Sequence, residues 1–182
     1  MHKHTSDSGF TLIELAVVII IIGLLLGGVL TGQGMLRSSE VQEILLEAKR
    51  YEVAITGFQD IHHSLPGDMP DATLQWGEAN GVPATCITTA STGEETCDGD
   101  GNGRVGPAVA GQEYERYRAW QHLANAGLLK SEGFTGVAGS GGNNHAVPGE
   151  NVPRGVMDGT GSTLRYVGSI GGADADFYQG LY

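Results

Sequence analysis

Basic residues are scarce: 10 Lys and Arg stand against 21 Asp and Glu, for a formal net charge of -11. Phosphate binding needs clustered Lys and Arg, so nucleic acid is not an expected partner. An acidic surface instead favours solubility and suits divalent cations. Cysteine is scarcer still, with Cys86 and Cys97 the two present. In an oxidising compartment they read as one disulfide closing a small loop; in a reducing cytosol they would be two free thiols. No internal repeat occurs, and no catalytic pattern of spaced Gly, Ser, Cys or His, so no enzyme is expected. Glycine, by contrast, is plentiful, at 30 residues, mostly beyond residue 98. Without a repeat, that abundance predicts loops and turns rather than a dense helical core.

Against this background one long hydrophobic run stands out. Residues 1–9 are polar, and residues 10–30 are apolar apart from Thr11 and Glu14. As a helix the run covers about 31 Å at 1.5 Å per residue, which matches a bilayer core. The helical pattern continues past it. After Gly32, Gln33 and Gly34, apolar residues recur at Leu36, Val41, Ile44, Leu45, Ala48, Tyr51, Ile55, Phe58 and Ile61. Steps of mostly three and four mark an amphipathic helix. Pro66 disfavours helix at Leu65, so the end is expected near residues 62–64. One helix of about fifty residues, about 75–80 Å long, is predicted.

The texture changes from Leu65. A Pro/Gly turn segment, LPGDMPDAT, leads past Trp76 into the Cys86–Cys97 stretch and then the acidic run DGDGNGRV at 98–105. Residues 112–130 form a second helix candidate, with Tyr117, Trp120, Leu123, Ala124 and Leu128 on one face and Gly127 near its end. Weak strand signals fall at 163–169 and 175–182. Trp76, Trp120 and Phe134 are expected in the core of this head. His62 and His63 suit the C-terminal dipole of the long helix. His122 has no second ligand at i+4, and Asp174 with Asp176 reads as a solvated turn.

The run GFTLIEL at 9–15 is the most specific feature. A charged Glu14 in an apolar span is costly, by several kcal/mol on insertion scales. The uncut sequence offers it no nearby charge partner. Cleavage after Gly9 would create one, because the new α-amino group of Phe10 is positive near neutral pH and lies one helical turn away. Glu14 is also favourably placed near a helix N-terminus. Between chains, the amine of one subunit could pair with Glu14 of its neighbour and fix axial register, since lipid gives little hydrophobic drive for helix association.

Gly9, Phe10, Thr11, Leu12, Ile13, Glu14 and Leu15 resemble the processing site of type IV pilins and type II secretion pseudopilins. The resemblance implies cleavage after Gly9 by a prepilin peptidase, N-methylation of Phe10 by the same enzyme, and a role for Glu14 in subunit addition. It implies a pilin-like α+β fold with a small antiparallel sheet. It also implies pilin subunits and an inner-membrane assembly platform as partners. The expected organisation is a leader at 1–9, a long helix at 10–64 with 10–30 in the inner membrane, and a periplasmic head at 65–182. In the head, LPGDM at 65–69, DGDGNG at 98–103 and RAWQHLANAGL at 118–128 resemble a set of prepilin-type proteins found beside secretion genes. That set often continues further, whereas this chain stops at Tyr182. Many pilins also carry a Pro near the membrane exit; Thr31 stands about there, among glycines that weaken a helix.

Asp98, Asp100 and Asn102 occupy positions 1, 3 and 5 of an EF-hand-like loop, with Gly103 at 6 and the Arg104 carbonyl at 7. Position 12 is Val109, so the bidentate ligand is missing there. Glu113 or Glu115 could reach back from the following helix. A structural Ca²⁺ is expected, stiffening a glycine-rich head; the resemblance supports it, since major pseudopilins bind calcium in their heads. A solvated Asp/Gly turn is the alternative.

Two rivals remain. An ordinary signal peptide could be cut at the small residues Gly32 and Gly34, but Glu14 and the continuing helical pattern argue against it. From another class, a secreted or membrane-anchored calcium-binding module would never polymerise.

Overall fold

The computed structural model describes residues 11–79, 89–106, 115–130, 133–141 and 145–164. The chain divides into two compact units, Met1–Glu43 and Ile44–Tyr182. The helix α1 (Leu12–His62, 51 residues) runs through both; α2 (Ala72–Trp76) and α3 (Glu115–Asn125) follow in the second.

In the first unit α1 is the only described element, and it is long and apolar enough to cross a membrane. Its large apolar side chains find no cover among the described residues of this unit; Leu12 is 89% exposed and Leu24 73%. Each would be stabilised by roughly 1.5–3 kcal/mol on leaving water, so the span is compatible with membrane anchoring. The glycines at 23, 27, 28, 32 and 34 do not break it, and nothing lies within 4 Å of a Cβ added at any of them. At the position where many pilins carry a Pro, Thr31 donates its hydroxyl to the Gly27 carbonyl, 2.9 Å away.

In the second unit α1 turns one face to the head. Ala54 and Phe58 are buried, with Tyr51 and Ile55 packed beside them. That stripe is narrower than the sequence pattern suggested, because Leu45 and Ile61 stay exposed at 65% and 61%. The geometry explains Leu45: six residues before Tyr51 at 100° each, it sits about 120° around the helix. The helix stops at His62, as the proline predicted, and His63 takes the left-handed conformation at φ 55° that commonly closes helices.

The helix α3 supplies Tyr117, Ala119, Trp120 and Leu123 to the same core, joined by Met69, Ala72, Phe134 and Val152. The rings of Tyr51 and Trp120 meet edge to face at 4.9 Å. A Schellman motif ends α3: the Gly127 N–H bonds to the Ala124 carbonyl and the Leu128 N–H to that of Leu123, with Gly127 at φ 71°.

No β-sheet occurs among the described residues, so the expected small antiparallel sheet is not supported. Isolated bridges pair Glu78 with Thr96, Pro148 with Val152, and Arg154 with Gly161. Most of the two segments read as strands lies outside the described residues. Elsewhere in the head, loop backbone groups bond to side chains. Asn151 donates to the carbonyls of Val137 and His145 and accepts the Val147 N–H. Buried Arg118 donates to the Ser91 hydroxyl and the Thr89 carbonyl. Backbone carbonyls and the Val147 N–H are satisfied by side chains in this way, without a ladder.

Candidate functional site

Two places carry chemistry. The first is the start of α1. Thr11 is its N-cap, for its carbonyl accepts the Leu15 N–H at 3.3 Å. The Thr11 N–H and hydroxyl both donate to one oxygen of Glu14, Oε2, at 2.9 and 2.8 Å. In return the Glu14 N–H lies 3.4 Å from the Thr11 hydroxyl oxygen. This is a capping box, Thr at the cap and Glu three residues on. Glu14 therefore has hydrogen-bond donors within its own chain, although no counter-charge meets it among the described residues. The signal for the box, T-x-x-E at residues 11–14, is present in the sequence. Gly9 and Phe10, the expected processing pair, lie outside the described residues.

The second place is where the three head motifs meet. Gly67 of LPGDM lies so close to α3 that a Cβ there would stand 2.3 Å from the Glu115 carbonyl oxygen. At Gly99 a Cβ would stand 2.4 Å from the Asp68 backbone. Only glycine permits either approach, and Gly67 also needs its φ of 88°. The Gly67 N–H donates to Nδ1 of His122 at 3.0 Å, and Nε2 lies 2.9 Å from the Thr96 hydroxyl. A backbone N–H can only donate, so the proton of neutral His122 is on Nε2 and is given to Thr96. Thr96 passes its own to Gln121 Oε1 at 2.9 Å. Burial, then the Arg118 charge, holds the His122 imidazole down at about 3. It is a neutral structural linker.

This packing brings Asp68, Asp100 and Glu115 together, with one carboxylate oxygen from each lying within 4.8 Å of the others. Asp68 and Glu115 are 2% exposed, while Asp100 faces solvent. The acidic loop wraps these carboxylates with its own backbone. Asp68 accepts N–H groups of Asn102 at 3.0 Å and Gly103 at 2.7 Å. Glu115 accepts those of Asp100 at 3.2 Å and Gly106 at 3.1 Å. Burial pushes the Glu115 carboxyl up to about 7 despite those bonds, with Asp100 and Asp68 adding to the rise. Burial raises Asp68 as well, and the neighbouring Asp100 carboxyl adds to it.

The EF-hand-like expectation is redistributed. Asp98 does not join the cluster; its two oxygens accept the Thr73 N–H at 2.7 Å and the Thr73 hydroxyl at 3.0 Å, closing the start of α2. Asp100 does join. Asn102 is adjacent, its side-chain amide donating to Asp100 at 2.7 Å. Arg104 follows in the same loop, and Glu113 lies outside the described residues, whereas Glu115 opens α3. Asp68 escaped the sequence reading because it lies 32 residues before Asp100, with only its place in LPGDM as a signal. Three carboxylate oxygens within 4.8 Å of one another could hold a hard divalent cation such as Ca²⁺ rather than a softer metal. Of the two cysteines, Cys97 is buried and Cys86 lies outside the described residues.

Residues 5–30 match the family model of the prokaryotic N-terminal methylation motif. This match, with a long apolar helix beginning inside it, fits a type IV pilin or pseudopilin. The motif implies a structural rather than a catalytic protein, processing by prepilin peptidase, and assembly with pilin subunits. No curated protein and no solved structure gives a significant match to the chain.

Proposed function

We propose that this chain is a structural subunit of a type II secretion pseudopilus or type IV pilus-like filament. The observation that carries the reading is the continuity of one helix. It starts inside the methylation motif, presents an uncovered apolar span, and ends as the packing surface of the head. A helix of this kind serves first as a membrane anchor and, after leader removal, as the packing element of a filament. The head stands in the periplasm before assembly, and an inner-membrane platform adds subunits. LPGDM and the acidic loop favour the pseudopilin form of this reading.

In this reading the head is held by two staples. A Cys86–Cys97 disulfide closes the loop before the acidic run. A Ca²⁺ ion is held by Asp68, Asp100 and Glu115, offsetting carboxylates that otherwise repel one another. The acidic cluster also favours the second reading, an anchored calcium-binding module that does not polymerise.

Intact mass of the membrane-extracted protein tests the processing. A chain starting at Phe10 with one added methyl is expected, and a start near Met35 would instead mark a cleaved signal peptide. Glu14→Val separates filament from module: it is expected to leave cleavage intact and stop filament growth. Normal filaments from that variant would overturn the pairing role of Glu14, and cleaved wild-type protein that never polymerises would favour the module.

A further inference from the structure

Asn102 and Gly103 stand next to each other in the exposed acidic loop. An Asn–Gly pair is chemically labile, because a glycine carries no side chain to hinder its nitrogen as it approaches the preceding carboxamide. At Gly103 nothing lies within 4 Å of an added Cβ, so the surroundings leave the approach open as well. The attack forms a bond from the Gly103 nitrogen to Cγ of Asn102. The Cγ–Nδ2 bond breaks, and the side-chain nitrogen leaves as ammonia with the proton that Gly103 gives up. Water then opens the five-membered imide at either carbonyl. One opening gives aspartate; the other gives isoaspartate, whose backbone runs through the side chain. One water is consumed and one ammonia released.

Hydrogen bonds hold this pair out of reaction. Asp100 grips Asn102 with both oxygens: Oδ1 accepts the backbone N–H at 3.0 Å and Oδ2 the side-chain amide at 2.7 Å. The carboxamide is thereby held against residue 100 and is not free to swing onto Gly103. The nucleophile is tied too, since the Gly103 N–H donates to Oδ2 of buried Asp68 at 2.7 Å. Bonds to charged acceptors are about twice as strong as neutral ones. Asp100, however, faces solvent. Its grip is the one that water contests, so it is the first to open.

We propose that Asn102 is a self-modification site, at which opening of the Asp100 grip lets the Gly103 nitrogen convert Asn102 to aspartate or isoaspartate. The change is permanent. An amide donor facing Asp100 becomes a carboxylate facing it, and like charges there repel. The grip cannot form again, so the product records that the loop of this head has opened. Neither a bound ion nor a filament is needed for the step.

The full-length protein in detergent is incubated at pH 7.5, folded or in urea. Peptide mass spectrometry follows the amide-to-acid mass gain at residue 102 and resolves isoaspartate from aspartate. In urea, ready modification to both products is expected. Folded wild type is expected to react at least about tenfold more slowly, the low end of what one hydrogen bond to a charged group contributes. Asp100→Ala, with Trp120 fluorescence showing an intact core, is expected to recover most of that difference. Asp100→Ser keeps one acceptor and should fall between; it decides the matter if Asp100→Ala does not fold. Folded wild type that reacts as fast as in urea would overturn the protective grip, as would folded variants at the wild-type rate. Aspartate without isoaspartate would overturn the ring and the part played by Gly103. Asn102 left unmodified in urea would sink the whole proposal.

Discussion

Raising the pH in the absence of divalent cations should weaken the head, and Glu115 sets much of the size. Burial lifts its carboxyl to about 7 from 4.5. A group with a higher pKa folded than unfolded contributes its full stability below the unfolded value and loses it as pH climbs through the folded one. The window therefore runs from about 4.5 to about 7, and at 1.36 kcal/mol per pH unit it corresponds to about 3 kcal/mol. Asp68 is raised too, so it acts in the same direction. For a domain whose whole stability is about 5–15 kcal/mol, this is a large part.

Urea unfolding of the full-length protein in detergent with EDTA, from pH 5 to 8.5, measures it. Trp120 is 1% exposed and reports loss of the core by fluorescence. Glu115→Gln is the informative variant. It cannot ionise, and its amide keeps one acceptor, so one of the two backbone bonds is lost at about 1 kcal/mol. The variant should be less stable than wild type by about 1 kcal/mol at pH 5, and more stable by about 2 kcal/mol at pH 8.5. The two curves cross. Wild-type stability that is level or rising across this range would refute the reasoning, as would a variant curve parallel to it. At pH 8.5, calcium at a hundredfold its Kd should restore about 2.7 kcal/mol to wild type and much less to the variant. An equal gain in both would end the assignment of the ion to this cluster.

Gly67→Ala should destabilise the head by about 3 kcal/mol or more, combining a left-handed backbone with a backbone clash. Gly103 is the control: its φ is 78° but nothing lies within 4 Å of an added Cβ, so Gly103→Ala should cost only about 1–2 kcal/mol. Equal urea midpoints for the two would show that the close approach of Gly67 to α3 carries no weight. Reduction of the disulfide proposed between Cys86 and Cys97 should lower stability by about 3 kcal/mol, the cost of opening a loop of about this length. A urea midpoint unmoved by reductant would remove that staple.

The parts of this molecule legible in its sequence are those set by near neighbours. Pro66 announced the end of α1, Gly127 the end of α3, and the spacing of Tyr51, Ile55 and Phe58 the face that packs. The capping box at Thr11 and Glu14 obeys the same short-range rule. What the sequence withheld depends on the chain folding back. Asp98 has the spacing of a metal ligand, yet its carboxylate closes α2, 25 residues upstream, because Thr73 offers two donors there. Asp68 looked like a turn residue. It becomes part of the acidic cluster because Gly67 and Gly99 let two backbones and α3 meet without side chains between them. The glycines that suggested a head with little core of its own are thus what bring its three motifs into contact. The charge they concentrate falls on Asp68 and Glu115, buried side chains held by the backbone of the loop that carries Asp100. A cluster assembled from three stretches of chain would tie any cation binding to the packing of α3 on the end of α1. A subunit able to bind calcium there would be one whose head has already folded.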